Sequence, residues 1–386
     1  MPQTNIIIKF LILAIIVQSC ITPYEPHISN KDVYKYVVSG QVTDNNELQT
    51  VSVSMASSIG DPQYIPVSGC YVRIYDDKGH EFAMEESEKG VYNGKIDRAY
   101  LIPGNSFKVD ILTSDGISIE SDFDLMNQCP GIDSLYYIRK ENLINNQGQD
   151  TRELQFYVDL DCENINSHFF KWEVIETWEH HVEYPREWYY DGTVHHISPP
   201  DYSRMVCWST ELVKNIYTLS TEGLAENKYY MFPINFVDNH TSRLRYGYSI
   251  LINQFALSEA AYSYWDQLRI NSNEQGGLYE KQPLSIQGNL HNNNNPDQKV
   301  LGFFSASSVR SKRIFVDKVE DFAFDFSTFC APETLRVGGL RSIDPSEYPA
   351  FLMGNKIKYF GIQLSQYCVD CMALGGTIKK PDFWPY

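Results

Sequence analysis

Residues 169–184 read FFKWEVIETWEHHVEY, and their side chains alternate in character. Phe170, Trp172, Val174, Glu176 and Trp178 fall on one side of an extended chain, and mostly polar residues fall on the other. On a helix this period of two would scatter the apolar residues around the axis, so the stretch dictates a sheet with one buried face. ELQFYVDL, NKYYMFPINFV, RLRYGYSILINQF and IKYFGIQLS read the same way, and VLGFFSAS and KRIFV are expected to form a β pair. Aromatic residues make up 14% of the chain, including 27 tyrosines, and aromatic side chains suit strands and half-buried surfaces.

The fold class that follows is mainly β. In residues 34–130 the strands are short and punctuated by turns. In CYVRIYD, Val72 and Ile74 oppose Tyr71, Arg73 and Tyr75. Asp76–Gly79 turns the chain into EFAMEE, and Asp115–Gly116 joins SFKVDILT to ISIES. This spacing predicts a β-sandwich of the immunoglobulin-like or carboxypeptidase-regulatory-like kind. Pro130–Gly131 marks a boundary, and residues 131–386 form a larger β-rich domain with one docked helix. Ser258 is placed to cap that helix, Ala261, Tyr262, Trp265 and Leu268 give it an apolar stripe, and Gly276–Gly277 ends it.

The start of the chain carries a different message. Lys9 precedes an apolar block from Phe10 to Val17 that stops at Gln18-Ser19-Cys20. The block is far short of the roughly 20 residues that cross a bilayer. A weakly basic start and a short apolar core fit a secretory signal over residues 1–19. Val17-Gln18-Ser19-Cys20 resembles a bacterial lipobox, which makes Cys20 the lipidation site and residues 20–33 a tether. Pro23 and Pro26 keep that tether extended. Stable anchoring needs more than one acyl chain, which a lipoprotein-type modification supplies.

The net charge is −17, and the signal segment contributes one lysine and no acid. So acidic a chain is not a nucleic-acid binder, and its membrane contact is expected through the lipid anchor, not a basic patch. Seven cysteines remain besides Cys20. Export favours disulfides, with Cys207, Cys330, Cys368 and Cys371 as structural candidates and the connectivity open. Cys368-Val-Asp-Cys371 lacks the βαβ setting of a redox motif and a second pair for zinc.

No catalytic set, metal site or cofactor is assigned. There is no G-x-S-x-G, H-E-x-x-H or phosphate-binding loop. Glu179, His181 and Glu183 would share one strand face with His180 on the other, and His195–His196 lies in a nearby loop. A solvated sheet face explains that cluster better than a metal does. Trp188, Tyr189, Tyr190 and Tyr202 are the candidate binding surface, for sugar stacking or protein docking, unless they fill the core under a long loop. Arg310, Lys312 and Arg313 are the densest basic group, expected to make local ion pairs, with partner docking as the alternative.

Several pieces together resemble one family: SGQVTD, PVSGCYVRIYDDKG, GIDSLYYI, KWEVIETWE, the long YGYSILINQFALSEAAYSYWDQLRINSNEQGGLYEKQP, GNLHNNNNPDQKVLGFFSASSVRSKRIFV and CVDCMALGGTIKKPDFW. The chain is similar to the Bacteroidota lipoproteins of domain of unknown function family 4249. The resemblance implies an exported, lipid-anchored protein of the outer membrane, associated with a TonB-dependent outer-membrane transporter. The expected role is a non-enzymatic accessory in nutrient capture or transporter organisation. The alternatives are an independent surface glycan- or peptide-binding lipoprotein and a hydrolase with an unrecognised site.

Overall fold

The computed structural model describes residues 35–57, 62–145, 147–273, 286–328, 330–335, 338–353 and 362–385. The signal segment, Cys20, the tether and Gly276–Gly277 lie outside these residues.

The chain is mainly β. Nine strands open it: β1 (Tyr36–Thr43), β2 (Leu48–Met55), β3 (Ile65–Pro66), β4 (Tyr71–Asp76), β5 (Glu81–Glu88), β6 (Val91–Lys95), β7 (Ser106–Leu112), β8 (Ser118–Ser121) and β9 (Asp124–Leu125). Val72 and Ile74 of β4 are buried, and Tyr71, Arg73 and Tyr75 face outward, as the alternation requires. β5 links the two layers, pairing with β4 through Glu81–Met84 and with β6 through Glu85–Glu88. Val38, Val51, Val53, Ile74, Phe107 and Ile111 pack in the core of this sandwich. Burying each such side chain contributes about 1.5–3 kcal/mol of gross hydrophobic stabilisation.

The larger region begins with β10 (Ser134–Ile144), β11 (Asp150–Asp161), β12 (Phe169–His181), β13 (Arg186–Tyr190), β14 (Val194–Asp201) and β15 (Val206–Leu212). It continues with β16 (Tyr217–Ser220), β17 (Lys228–Asp238), β18 (Gly247–Ala256), helix α1 (Glu259–Asn273), β19 (Leu290–Asn292) and β20 (Leu301–Val316). β10, β11 and β17 form one sheet, and β15, β12, β18 and β20 lie in order in another. Their facing sides bury Leu154, Phe156, Val158, Trp172, Val174, Tyr248 and Ile252 in a second core. Trp172 Nε1 donates to Gln254 Oε1 at 2.9 Å, and Gln254 Nε2 donates to the Pro130 carbonyl at 3.0 Å. The Pro130 boundary is therefore anchored inside the second core.

Two expectations need correction. VLGFFSAS and KRIFV are not a pair of strands. They are the two ends of β20, a single strand of 16 residues. Its first half pairs in parallel with β1, from Val37↔Leu301 to Thr43↔Ser307, and its second half pairs with β18. Nor is the first sandwich complete within residues 34–130. Leu290, Val300, Phe304 and Ala306 belong to its core, and β19 pairs with β8. One sheet thus runs through both regions. Gly302 permits the junction: its φ is +99°, and a Cβ there would lie 1.9 Å from the Val38 carbonyl oxygen. Where β20 leaves β1, Asp44 accepts from Val309 N at 2.7 Å and from Arg310 Nη1 at 3.1 Å.

The remaining strands are β21 (Glu333–Thr334), β22 (Ala350–Met353) and β23 (Ile362–Leu364). They join the β13–β14 hairpin in a small sheet of order β14-β13-β22-β23-β21. A short helix, α2 (Gln366–Val369), follows. Helix α1 starts where Ser258 Oγ accepts from Ala261 N at 3.0 Å, and the same hydroxyl bonds Asp124 of the first sandwich. Burial pushes the Asp124 carboxyl up to about 6 despite that bond and a second from Ala306 N. Ala261, Tyr262, Tyr264 and Trp265 dock α1 against Phe255, Phe303 and Val309.

Candidate functional site

Trp188, Tyr189, Tyr190 and Tyr202 do not share one face. Trp188 and Tyr190 sit on the face of β13 that packs with Ile343, Ala350 and Leu352. Tyr189 points to the opposite face, stacked on His195 with ring centroids 4.6 Å apart. Tyr202 lies beyond β14 and is exposed. The period of two divides three consecutive aromatics between two faces. Trp188 stacks on His196 at 3.8 Å, so it covers the hairpin's own imidazole. Asp191 accepts from His195 at 2.9 Å, and that bond holds its carboxyl below the usual range.

The histidines of β12 are engaged separately. His181 Nε2 lies 2.6 Å from Glu179 Oε1, and its ring stacks on Tyr246 at 3.7 Å. His180 is buried on the other face, with Nε2 3.1 Å from the Cys371 carbonyl, and burial pushes its imidazole below its ordinary value. Among the described residues no three His, Cys, Asp or Glu side chains are grouped to hold a metal ion. The basic trio is used internally. Arg310 pairs with Asp44, Lys312 Nζ donates to the Asp133 carbonyl at 2.7 Å, and Arg313 lies over the Phe383 ring at 3.6 Å.

The four candidate cysteines form two bonds, Cys207–Cys371 and Cys330–Cys368, so each member of the C-x-x-C pairs away from the other. Both tie the C-terminal segment down: one to β15, the other across the small sheet. Cys70, Cys129 and Cys162 are free thiols. Burial pushes Cys129 and Cys162 up to about 12, which removes their thiolate reactivity at neutral pH.

Two features were legible in the sequence only in part. The first is Glu176, in the middle of the apolar face of β12 and 2% exposed. Its carboxylate accepts from Arg243 Nη1 at 2.7 Å, Asn235 Nδ2 at 3.0 Å and Tyr248 Oη at 2.5 Å. Its place on that face was readable; its partners come from other strands and leave no local mark.

The second is a cleft of about 380 Å³ between the outer face of β1 and β2 and helix α1. Ser39 and Gln41 from β1, Thr50 and Ser52 from β2 and Ser305 from β20 supply its polar floor. These are the residues that alternate with the sandwich core, so they must face away from it. Tyr264, Trp265 and Phe303 form an aromatic wall. Lys171 and Glu173 close one side, with Nζ 2.8 Å from Oε1. The sequence signal lay in the polar alternation of β1 and β2, but nothing local places α1 opposite them. A larger hollow of about 850 Å³ beside Arg245 and Tyr246 is walled by the loop 318–324. Arg139 and Arg152 pin this loop through the Glu320 and Asp321 carbonyls.

A family model described as a domain of unknown function, DUF4249, matches residues 21–313. The chain belongs to the DUF4249 family. The match spans both halves of the continuous sheet up to Arg313 and every residue of the cleft, and stops before the C-terminal disulfide segment of this DUF4249 protein. No curated protein matches it. Among solved structures it is similar to a DUF4785 family protein from Legionella pneumophila, at 10% identity and a TM-score of 0.17, over 57% of this chain and 53% of that one. It is also similar to trypsin-activated alpha-2-macroglobulin from Escherichia coli, at 9% identity and a TM-score of 0.20, over 61% of this chain and 15% of that one. The chain thus spans about half the length of the first and a small part of the second.

Proposed function

We propose that this DUF4249 protein is a lipid-anchored accessory of the cell envelope, acting at the outer membrane with a TonB-dependent transporter in nutrient capture or transporter organisation. It works by binding, not by catalysis. The observation that carries the reading is the pair of disulfides, because such bonds persist in oxidising compartments and are rare in the cytosol. They agree with the signal segment and with Cys20 as an acylation site. Anchoring restricts the search for a membrane partner to the bilayer plane, which raises effective concentration without demanding a strong interface. The transporter itself is inferred from the family resemblance.

Isolation of the tagged full chain from native membranes in mild detergent tests this reading. The expected result is a TonB-dependent transporter co-isolating in near-stoichiometric amount. Repeated recovery of the chain without one, from preparations in which other envelope complexes survive, contradicts it. The second reading, an independent glycan- or peptide-binding lipoprotein, is favoured by the cleft under α1.

A further inference from the structure

We infer that the cleft between β1, β2 and α1 is a binding site for a neutral saccharide. Gln41 Nε2 is shielded from solvent and has no hydrogen-bond partner among the described residues, although Gln41 lines the cleft. A buried amide donor left unpaired destabilises the fold, and such groups call for a ligand or a functional reason. The missing partner is an acceptor. Around Gln41, Ser39 and Ser305 carry hydroxyls that both donate and accept, while Thr50 and Ser52, which already donate to Asn93 Oδ1 and the Ser39 carbonyl, are left as acceptors. A ligand matched to this floor carries several groups that both donate and accept, as sugar hydroxyls do.

The wall supplies the other half of the match. Tyr264 packs against Phe303 at 5.0 Å between centroids and edge-on to Trp265 at 5.7 Å, which fixes both helix residues. Aromatic faces attract the weakly positive C–H edges of a ligand, and a sugar ring presents such a face beside its hydroxyls. Charge then selects among polyhydroxylated ligands. Lys171 is 3% exposed, and its ammonium lies 4.0 Å from the Trp265 centroid. Glu173 already balances it at 2.8 Å. An anionic ligand would have to displace or face that carboxylate, and a cationic one would face the ammonium. A neutral sugar meets both groups as one donor and one acceptor, the arrangement that suits two adjacent hydroxyls. The volume of about 380 Å³ is in the range of small-ligand pockets and suits one or two rings.

This goes beyond the accessory reading and stands independently of it. A protein that binds sugar without a transporter overturns the transporter alone. The test uses the full chain purified in a detergent without a sugar headgroup. Glucose, mannose, galactose, xylose, maltose and cellobiose are titrated by calorimetry and saturation-transfer NMR, with glucuronate and glucosamine as charged controls. At least one neutral sugar is expected to bind saturably and more tightly than either charged control. Gln41→Leu is expected to weaken that binding at least tenfold while its thermal midpoint stays equal or rises, since the orphan donor is gone. Trp265→Phe, which keeps the helix packed, is expected to weaken it severalfold. Absence of binding by all six neutral sugars overturns the inference. So does tightest binding of glucuronate, or wild-type affinity in Gln41→Leu.

Discussion

Glu176→Ala is expected to destabilise the protein by about 3–5 kcal/mol, the range for removing one member of a buried ionic network. The carboxylate is the shared acceptor for Arg243, Asn235 and Tyr248, and it sits between the two sheets of the second core. Alanine leaves Tyr248 Oη and Asn235 Nδ2 without this acceptor in a region that water does not reach, and it opens a cavity as well. Arg243 loses its carboxylate but keeps its place over the Trp178 ring, 5.3 Å away, and is partly exposed. Glu176→Gln retains one acceptor oxygen and is expected to cost less. Urea unfolding followed by tryptophan fluorescence measures both. Domain stabilities are of the order of 5–15 kcal/mol, so the alanine variant loses a large share of the total. Glu187→Ala, on the hairpin surface, is the control and should stay within about 0.5 kcal/mol of wild type. A Glu176→Ala loss as small as the control's would mean that the network does not organise the core.

Removal of the Cys207–Cys371 bond, by the double alanine variant, is the second large effect. Its partners are 164 residues apart, and both sulfurs are buried. The chain-entropy model gives about 5 kcal/mol for a loop of that length, while measured disulfides typically give 2–4. Losing Cys330–Cys368, which spans 38 residues, should cost roughly 1 kcal/mol less. The cost of the longer bond is local as well as global. Cys371 N donates to the Arg204 carbonyl at 2.9 Å, and Thr377 pairs with Trp208, so loss of the bond loosens the segment beyond Cys368, which Cys330 still holds. His180 adds a pH dependence of definite sign. Buried against the Cys371 carbonyl, it resists protonation in the folded state, whereas the opened chain takes up a proton below about pH 6.5. Opening is therefore easier in acid. Limited proteolysis of the double variant should cut beyond Cys368 faster than in wild type, and faster at about pH 5.5 than at about pH 7.5. Equal cleavage of variant and wild type would show that the bond does not hold the segment.

The strands were legible where the rule is local. Alternation placed the buried residues of β4, β11 and β12, a two-residue turn signal placed the β7–β8 hairpin, and Ser258 marked the start of α1. The rule fails where pairing is remote. The parallel β1–β20 ladder joins residues more than 260 positions apart with no turn between them, so no local residue announces it. VLGFFSAS and KRIFV are separated in the sequence by Ser308, Val309, Arg310 and Ser311, and β20 runs straight through them. In the structure Ser307 and Ser308 are buried at the crossing from β1 to β18. The aromatic run of β13 was open between a binding surface and core filling, because aromatic density does not decide between them. The strand divides these neighbours between its two faces, and Trp188 and Tyr190 take the packed one. The cleft is composite: its floor and its wall come from separate regions of the chain, and only the docking of α1 brings them together.

The central claim is that this acidic, sheet-built body is held at a membrane by lipid on Cys20. Cys20→Ser in the native chain, followed by fractionation of the cells and mass spectrometry of the N-terminus, tests it most directly. The account predicts acylated Cys20 as the first residue of the mature wild-type chain, and loss of the serine variant from the membrane fraction with the fold intact. A serine variant that stays with the membranes as firmly as wild type, or a mature wild-type chain without acyl groups, contradicts it.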